Sequence, residues 1–266
     1  TLLYSGRVFM LRRKHWISFV VSCLTAIGLV GCGAQETGGS ANNTLIFAVA
    51  PDGGAFSSRD SSGKLTGFDI ELVESLAAKE NLKVEWKEMK FNGIIPALQA
   101  KQVDGAAASI TIRDDRKAVT NFTDPYFDSG LVMVVKKDSP INSVDDLKDK
   151  TIVAKQGTSG LEKANELAKE KGAKVKILED EATLYMDVEA GGSDVLINDF
   201  PFVANKIKSG TATNLKIVGD KLTGEEYGIA IAKGKEDILE KFNKHLKEMK
   251  ENGEYQKLYD KYFGSN

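Results

Sequence analysis

The sequence predicts an α/β protein with a mainly parallel sheet, in one or two lobes. Three observations carry that expectation. Short apolar runs alternate with helix-period stretches from Leu45 onward, the strand–helix rhythm that builds parallel sheets. Two strand-to-helix turns, Ser109–Arg116 and Lys155–Gly160, place hydroxyls and small residues where such sheets hold ligands. The 266 residues, 42% of them hydrophobic, supply enough apolar material for a soluble globular core.

Charge and rare residues narrow the function. A net charge of −2 argues against a nucleic-acid binder, which needs a clustered cationic excess. The two cysteines, Cys23 and Cys32, both lie in the N-terminal segment, so the folded part carries neither a disulfide nor thiol chemistry. His245 sits in a Lys-rich helical stretch with no Cys or second His nearby and is expected to be a solvated surface residue. Neither a metal site nor a His-based triad is expected.

At the N-terminus, Arg7, Arg12, Arg13 and Lys14 precede the apolar run Trp16–Val30. That run has the length of a signal-peptide core and is short for a membrane span. It ends in Leu29-Val30-Gly31-Cys32, which resembles the lipobox of bacterial lipoproteins. The resemblance implies a signal peptide over residues 1–31, with Met10 a better start than Thr1, then cleavage and acylation at Cys32. Residues 32–42 would be the lipidated Cys and a flexible tether, because they show no apolar periodicity. The expected location is extracytoplasmic, lipid-anchored to the outer face of the cell membrane; two or more acyl chains make such an anchor stable.

Leu45–Ala50 is an apolar strand that stops at the loop signal Pro51-Asp52-Gly53-Gly54. After a second turn, Asp69 stands where it can cap a helix whose face is Ile70, Val73, Leu76 and Ala77. Leu82–Lys87 alternates as a half-buried strand, Phe91-Asn92-Gly93 opens a helix over Ile94–Ala100, and Val103 begins the next strand. Leu131–Val135, Thr151–Ala154, Lys174–Leu178, Asp194–Ile197 and Leu215–Val218 read as further strands, with helices ending near Lys171, over Glu181–Glu189 and after Pro201. Glu225–Ile231 precedes the long helix Lys235–Asn252 and the amphipathic Gly253–Phe263.

The turns carry the chemistry. From Gly105 to Ala108 nothing larger than a methyl projects, so a ligand or backbone can approach closely. Ser109 and Thr111, two apart on an extended chain, would point both hydroxyls one way, with Arg116 following as the chain turns helical. Two hydroxyls, N–H groups at a helix start and a guanidinium fork suit a carboxylate. The plainer alternative is a strand end with a Ser/Thr cap and a solvent-facing Arg. Lys155-Gln156-Gly157-Thr158-Ser159-Gly160 repeats the arrangement; it lacks the spacing of a P-loop and of a nucleophile elbow.

Gly67-Phe68-Asp69, Phe91-x-Gly93-Ile94-Ile95-Pro96, Val103-Asp104, Ile110-Thr111-Ile112-x-Asp114-x-Arg116-Lys117, Phe122-x-Asp124-Pro125-Tyr126, Gly157-Thr158, Tyr227-Gly228-Ile229 and Gly253-x-Tyr255 follow in a specific order and spacing. With them the chain resembles the amino-acid-binding lipoproteins of ABC importers, the polar amino acid family of solute-binding proteins (bacterial extracellular solute-binding protein family 3), nearest to glutamine-binding members. The resemblance implies a two-lobe, type II periplasmic-binding-protein-like fold. Each lobe would be a mainly parallel sheet flanked by helices, and two crossover hinge strands would join them. Lobe 1 would comprise residues 43–126 plus 228–266 and lobe 2 residues 130–222, with hinges at about 127–129 and 223–227. It further implies a monomer that closes on an amino acid and delivers it to a permease driven by an ATPase, with no cofactor, metal, catalysis or nucleic acid.

Carried over by position, Arg116 would pair with the ligand α-carboxylate, and Thr111 and the Ser159 loop would donate further bonds to it. Asp199 would take the α-ammonium, helped by the Ser109 region, and Phe91 would lie along the aliphatic chain. Asp199 could instead be only a helix N-cap, and Phe91 only core packing. Ala50 and Gly53 stand where the family often presents an Asp and a stacking aromatic, with Asp52 or Phe56 as substitutes. Lys155 stands where glutamine binders carry a Lys that contacts the side-chain amide, and a cation there opposes Arg or Lys as ligand in a dry cleft. Glutamine is therefore the expected ligand, with glutamate or another polar amino acid as the alternative. Two further alternatives are a ligand-sensing partner of a receptor and a cyclohexadienyl-dehydratase-like enzyme using Asp199 or Asp52 as its acid.

Overall fold

The computed structural model describes residues 43–264; the expected signal peptide, Cys32 and the tether lie outside the described residues. The first described element is β1 (Thr44–Val49), which is apolar toward both sides: Leu45 and Phe47 enter one core, Ala48 and the following Ala50 the other. A small hairpin, β2 (Ser58–Arg59) and β3 (Leu65–Thr66), is turned by Asp60, whose carboxylate accepts from the Ser62 and Lys64 N–H groups. Helix α1 (Phe68–Ala78) buries Phe68, Leu72, Val73 and Leu76 against Phe47. β4 (Lys83–Glu88), α2 (Ile94–Gln99), β5 (Gly105–Ala106), α3 (Asp114–Val119) and β6 (Asn121–Phe122) complete the first passage.

The chain then crosses through β7 (Phe127–Ser129) into a second lobe. Its elements are β8 (Leu131–Lys136), β9 (Thr151–Lys155), α4 (Ser159–Lys171), β10 (Lys174–Leu178), α5 (Glu181–Glu189), β11 (Val195–Asp199), α6 (Phe200–Lys208) and β12 (Leu215–Val218). It returns through β13 (Glu225–Tyr227), which pairs antiparallel with β7, to β14 (Ala230–Ile231), α7 (Glu236–Asn252) and α8 (Glu254–Phe263).

The strand orders are β4-β1-β5-β14-β6 and β10-β9-β11-β8-β12. In each sheet a single strand, β14 or β8, runs against the rest. A sheet covered by helices on both sides needs strands apolar on both faces. β8 meets that need: Leu131, Met133 and Val135 enter one core of the second lobe, Val132 and Val134 the other. Each such fully buried aliphatic side chain contributes roughly 1.5–3 kcal/mol relative to an exposed one. In the first lobe, Gly105 is dictated by packing, because a Cβ there would lie 2.4 Å from Cζ of Phe47.

Three local expectations fail. The strand expected through Ala108 spans only Gly105–Ala106, and Ser109 adopts φ +51, so Ser109 and Thr111 do not project from one extended chain. Asp69 does not cap α1; its carboxylate is turned inward to the Ser109 turn. His245 is buried, its ring nitrogens bonded to Glu80 Oε1 at 2.6 Å and Glu248 Oε2 at 2.8 Å. Helix α7 lays Phe242, His245, Leu246 and Met249 on the first lobe, and the Lys-rich sequence describes only its outer face.

Candidate functional site

Ala50, Gly53, Phe91, Ser109, Thr111, Arg116, Lys155, Ser159 and Asp199, the nine residues read from the sequence, all line one small cavity of about 30 Å³ between the two sheets. Their loops leave the carboxyl ends of β1, β4 and β5 in one lobe and β9 and β11 in the other. At those ends the chain turns away, exposing side chains and N–H groups to whatever lies between the lobes.

At one end stands Arg116, nearly fully buried. Its Nη1 donates to Thr111 O at 2.7 Å and its Nη2 to Gly157 O at 3.0 Å, so one guanidinium touches both lobes. Burial and the neighbouring Arg113 charge lower its pKa to about 10, which leaves it cationic at neutral pH. Gly157 has φ +79, and a Cβ there would lie 3.0 Å from Asn92 Cα of the opposite lobe, so both backbone and space require glycine. Thr158 caps α4 by accepting from Leu161 N–H, which leaves Ser159 to face the cavity. The Thr111 and Ser159 hydroxyls donate to one oxygen, Glu225 Oε2, at 2.9 and 2.8 Å. The ring of Phe91 lies 5.6 Å from the Arg116 guanidinium and 5.8 Å from the Lys155 ammonium, while also packing on the Ile94–Leu98 core.

The Ser109 turn is fixed from behind. Asp69 accepts from Ser109 N–H at 2.6 Å and from the Tyr126 hydroxyl at 2.7 Å. Burial raises the Asp69 pKa to about 7 against the hydrogen bonds that lower it.

Asp199 closes β11 and stands at the N-cap position of α6 without making a side-chain cap bond. Burial, then the negative charges of Glu225 and Glu181, raise its pKa to about 8, with Arg116 opposing. An ammonium group brought against it would favour the ionised form.

At the far end, Lys155 Nζ is 2.7 Å from Asp52 Oδ2 and 3.8 Å from Glu181 Oε2. Asp52 Oδ2 also accepts from the Glu181 N–H at 3.2 Å. Glu181 Oε1 accepts from Asn198 Nδ2 at 2.6 Å, and burial raises its pKa while Lys155 opposes the rise. Lys155 is therefore not a free cation, and two carboxylates surround one ammonium. With its charge met by these carboxylates, Lys155 does not repel a cationic ligand as an unpaired ammonium would.

Glu181 and Asn198 belong to the lining and carry no sequence signal of their own, because a Glu in the first turn of a helix is the ordinary dipole-favoured placement. Asp52, expected only as a substitute, lines the cavity; Phe56 does not, being stacked on Phe202 of α6 at 5.3 Å inside the first lobe's core. Further contacts cross between the lobes: Lys90 pairs with Asp180, and Arg113 with Glu162 at 2.5 Å.

Comparison with known proteins gives a consistent result. The sequence pattern of the bacterial extracellular solute-binding proteins, family 3, matches residues 45–265. A probable histidine-binding protein of Neisseria gonorrhoeae is 34% identical over 257 residues, covering 94% of this chain and 96% of that protein. The ABC transporter glutamine-binding protein GlnH of Bacillus subtilis (strain 168) is 31% identical over 272 residues, covering 94% and 97%. Among solved structures, an ancestral arginine-binding protein bound to arginine superposes with a TM-score of 0.79 at 39% identity, covering 84% of this chain and 99% of that one. An ancestral arginine-binding protein bound to glutamine gives 0.77 at 38% identity, with the same coverage.

Proposed function

The chain belongs to the bacterial extracellular solute-binding proteins, family 3, and from that premise we propose that it binds a polar amino acid whose side chain ends in N–H donors, arginine ahead of glutamine. It has the two-lobe, type II periplasmic-binding-protein-like fold. It is an extracytoplasmic binding component of an ABC importer for a polar amino acid, partnered by a permease and its ATPase, and not an enzyme. The Leu29–Cys32 lipobox supports attachment to the membrane through lipid on Cys32.

In this reading Arg116 and the N–H groups opening α4 take the α-carboxylate, and Asp199 takes the α-ammonium. A zwitterion leaving water needs an opposite charge at each pole, and the cavity supplies both. Phe91 lies along the methylenes, and the ribbon of β7 and β13 is the axis on which the lobes close. The observation that carries the choice of side chain is Glu181, a buried carboxylate left over once Lys155 is paired with Asp52. A guanidinium balances that surplus charge, whereas an amide can only hydrogen-bond to it. The relatives named for arginine and histidine support this, and the glutamine-bound ancestral structure supports the amide as second choice.

Calorimetric titration of the protein, freed of carried-over ligand, against the twenty amino acids tests the reading. Arginine should bind 1:1 and most tightly, and Glu181→Gln should weaken it about ten- to a hundred-fold while leaving glutamine binding unchanged or tighter. Glutamine binding more tightly than arginine in the wild type would keep the class and overturn the side-chain assignment. No response to any amino acid would overturn the reading itself.

A further inference from the structure

The carboxylate of Glu225 lies outside the ligand-pole scheme. It sits on β13, one of the two strands that join the lobes, and is half-buried. Oε2 accepts from Thr111 Oγ1 of the first lobe at 2.9 Å and from Ser159 Oγ of the second at 2.8 Å; Oε1 accepts from Thr223 Oγ1 at 3.1 Å. Thr223 Oγ1 in turn accepts from Leu131 N–H, at the start of β8. One side chain on the hinge thus bonds directly to both lobes, through groups belonging wholly to the chain.

A hydroxyl has one proton to donate. The protons of Thr111 and Ser159, both buried, point to Glu225 rather than into the cavity. Ser159 opens a thirteen-residue helix, so its positive end also faces the carboxylate. Arg113, whose Nη1 is buried without a hydrogen-bond partner among the described residues, lines the same hinge groove.

We propose that Glu225 is a positioning residue that ties the hinge to both lobes and favours their closed arrangement, in the free protein as well as with ligand. The Thr111 and Ser159 hydroxyls then serve closure, and the ligand carboxylate is left to Arg116 and backbone N–H groups. The two Oε2 bonds can exist together only while Thr111 and Ser159 are close, and their hydroxyls are 3.4 Å apart. Opening the lobes breaks at least one of them and strands a half-buried carboxylate beside fewer donors.

Small-angle scattering of the ligand-free protein, wild type against Glu225→Gln, reads the tie without any ligand. The variant should have the larger radius of gyration, and the arginine concentration that half-closes it should rise about five-fold or more. Ser159→Ala should give a shift in the same direction, and the double variant should show less than the sum of the two, since both act on the Ser159–Glu225 bond. A thermal melt close to wild type in Ser159→Ala separates loss of the tie from loss of fold. An unchanged ligand-free radius overturns the proposal, as does tighter ligand binding in Glu225→Gln, which would make the carboxylate a competitor of the ligand. The second arm rests on the amino-acid-binding reading. If arginine fails to close the wild type, that reading fails, while the ligand-free comparison still decides the role of Glu225.

Discussion

Arg116 and Asp199 are charges that burial alone disfavours, displaced in pKa in opposite directions by the same cause. Arg116 is already satisfied in part by two carbonyls, whereas among the described residues the Asp199 carboxylate has only the Ser129 hydroxyl, at 3.4 Å. Replacing either by Ala would strand one pole of a bound zwitterion, and each should weaken binding by about 2–5 kcal/mol in calorimetry. Affinity close to wild type in either variant would remove that residue from the site. Both were legible because each closes a strand-to-helix turn with its own pattern. Glu181 was not, because a carboxylate in a first helical turn looks solvated and only its contacts with Asn198 and Lys155 show it buried, while Asp52 entered only as a substitute and stays partly exposed.

At the scale of elements, the link between α1 and the β5–α3 turn runs through Asp69. The structure keeps Ser109 in a left-handed conformation, uncommon for a residue with a Cβ, by giving its N–H and hydroxyl one buried acceptor. That acceptor titrates. Because folding raises the Asp69 pKa from 3.8 to about 7, its protonated form is favoured in the fold. Its contribution to stability is fully present below the unfolded value and is lost as pH rises through about 7. Denaturant unfolding of wild type and Asp69→Asn between pH 4 and 8 should show the stability difference moving toward the variant by about 2–4 kcal/mol as pH rises. Parallel curves would place the titration elsewhere. Strand periodicity and glycine punctuation located most elements within a residue or two, since two-sided burial leaves an unbroken apolar run. They missed the early end of β5, because nothing local announces a turn whose acceptor lies forty residues away on α1.

For the molecule as a whole, Phe202 is the side chain of the second lobe that reaches the first lobe's aromatic core, stacked on Phe56 and near Gly53. Parting of the lobes would withdraw it from that core, so it is placed to favour the closed form, and it lines the cavity as well. Phe202→Ala should raise the ligand Kd about ten-fold, from lost aromatic packing and exposed area, with little change in the melting of either lobe. An unchanged Kd would show that the stack persists when the lobes open. The two-lobe architecture itself was legible only through the ordered motifs. Alternation gives two sheets, but not which strands join them, since β14 returns to the first sheet from more than a hundred residues away.

The division of the cavity between lobes has a kinetic consequence. Asp52 belongs to the first lobe; Lys155, Glu181 and Asn198 ride on the second, and Asp52 meets Lys155 and Glu181 only across the gap. A ligand landing on Arg116 and Phe91 would touch what every α-amino acid shares before it meets the groups that tell one side chain from another. On that layout, different amino acids arrive at similar rates and are sorted by how long they stay. The importer's choice would lie in dwell time, so a poor ligand costs the transporter a brief visit rather than a wasted turnover.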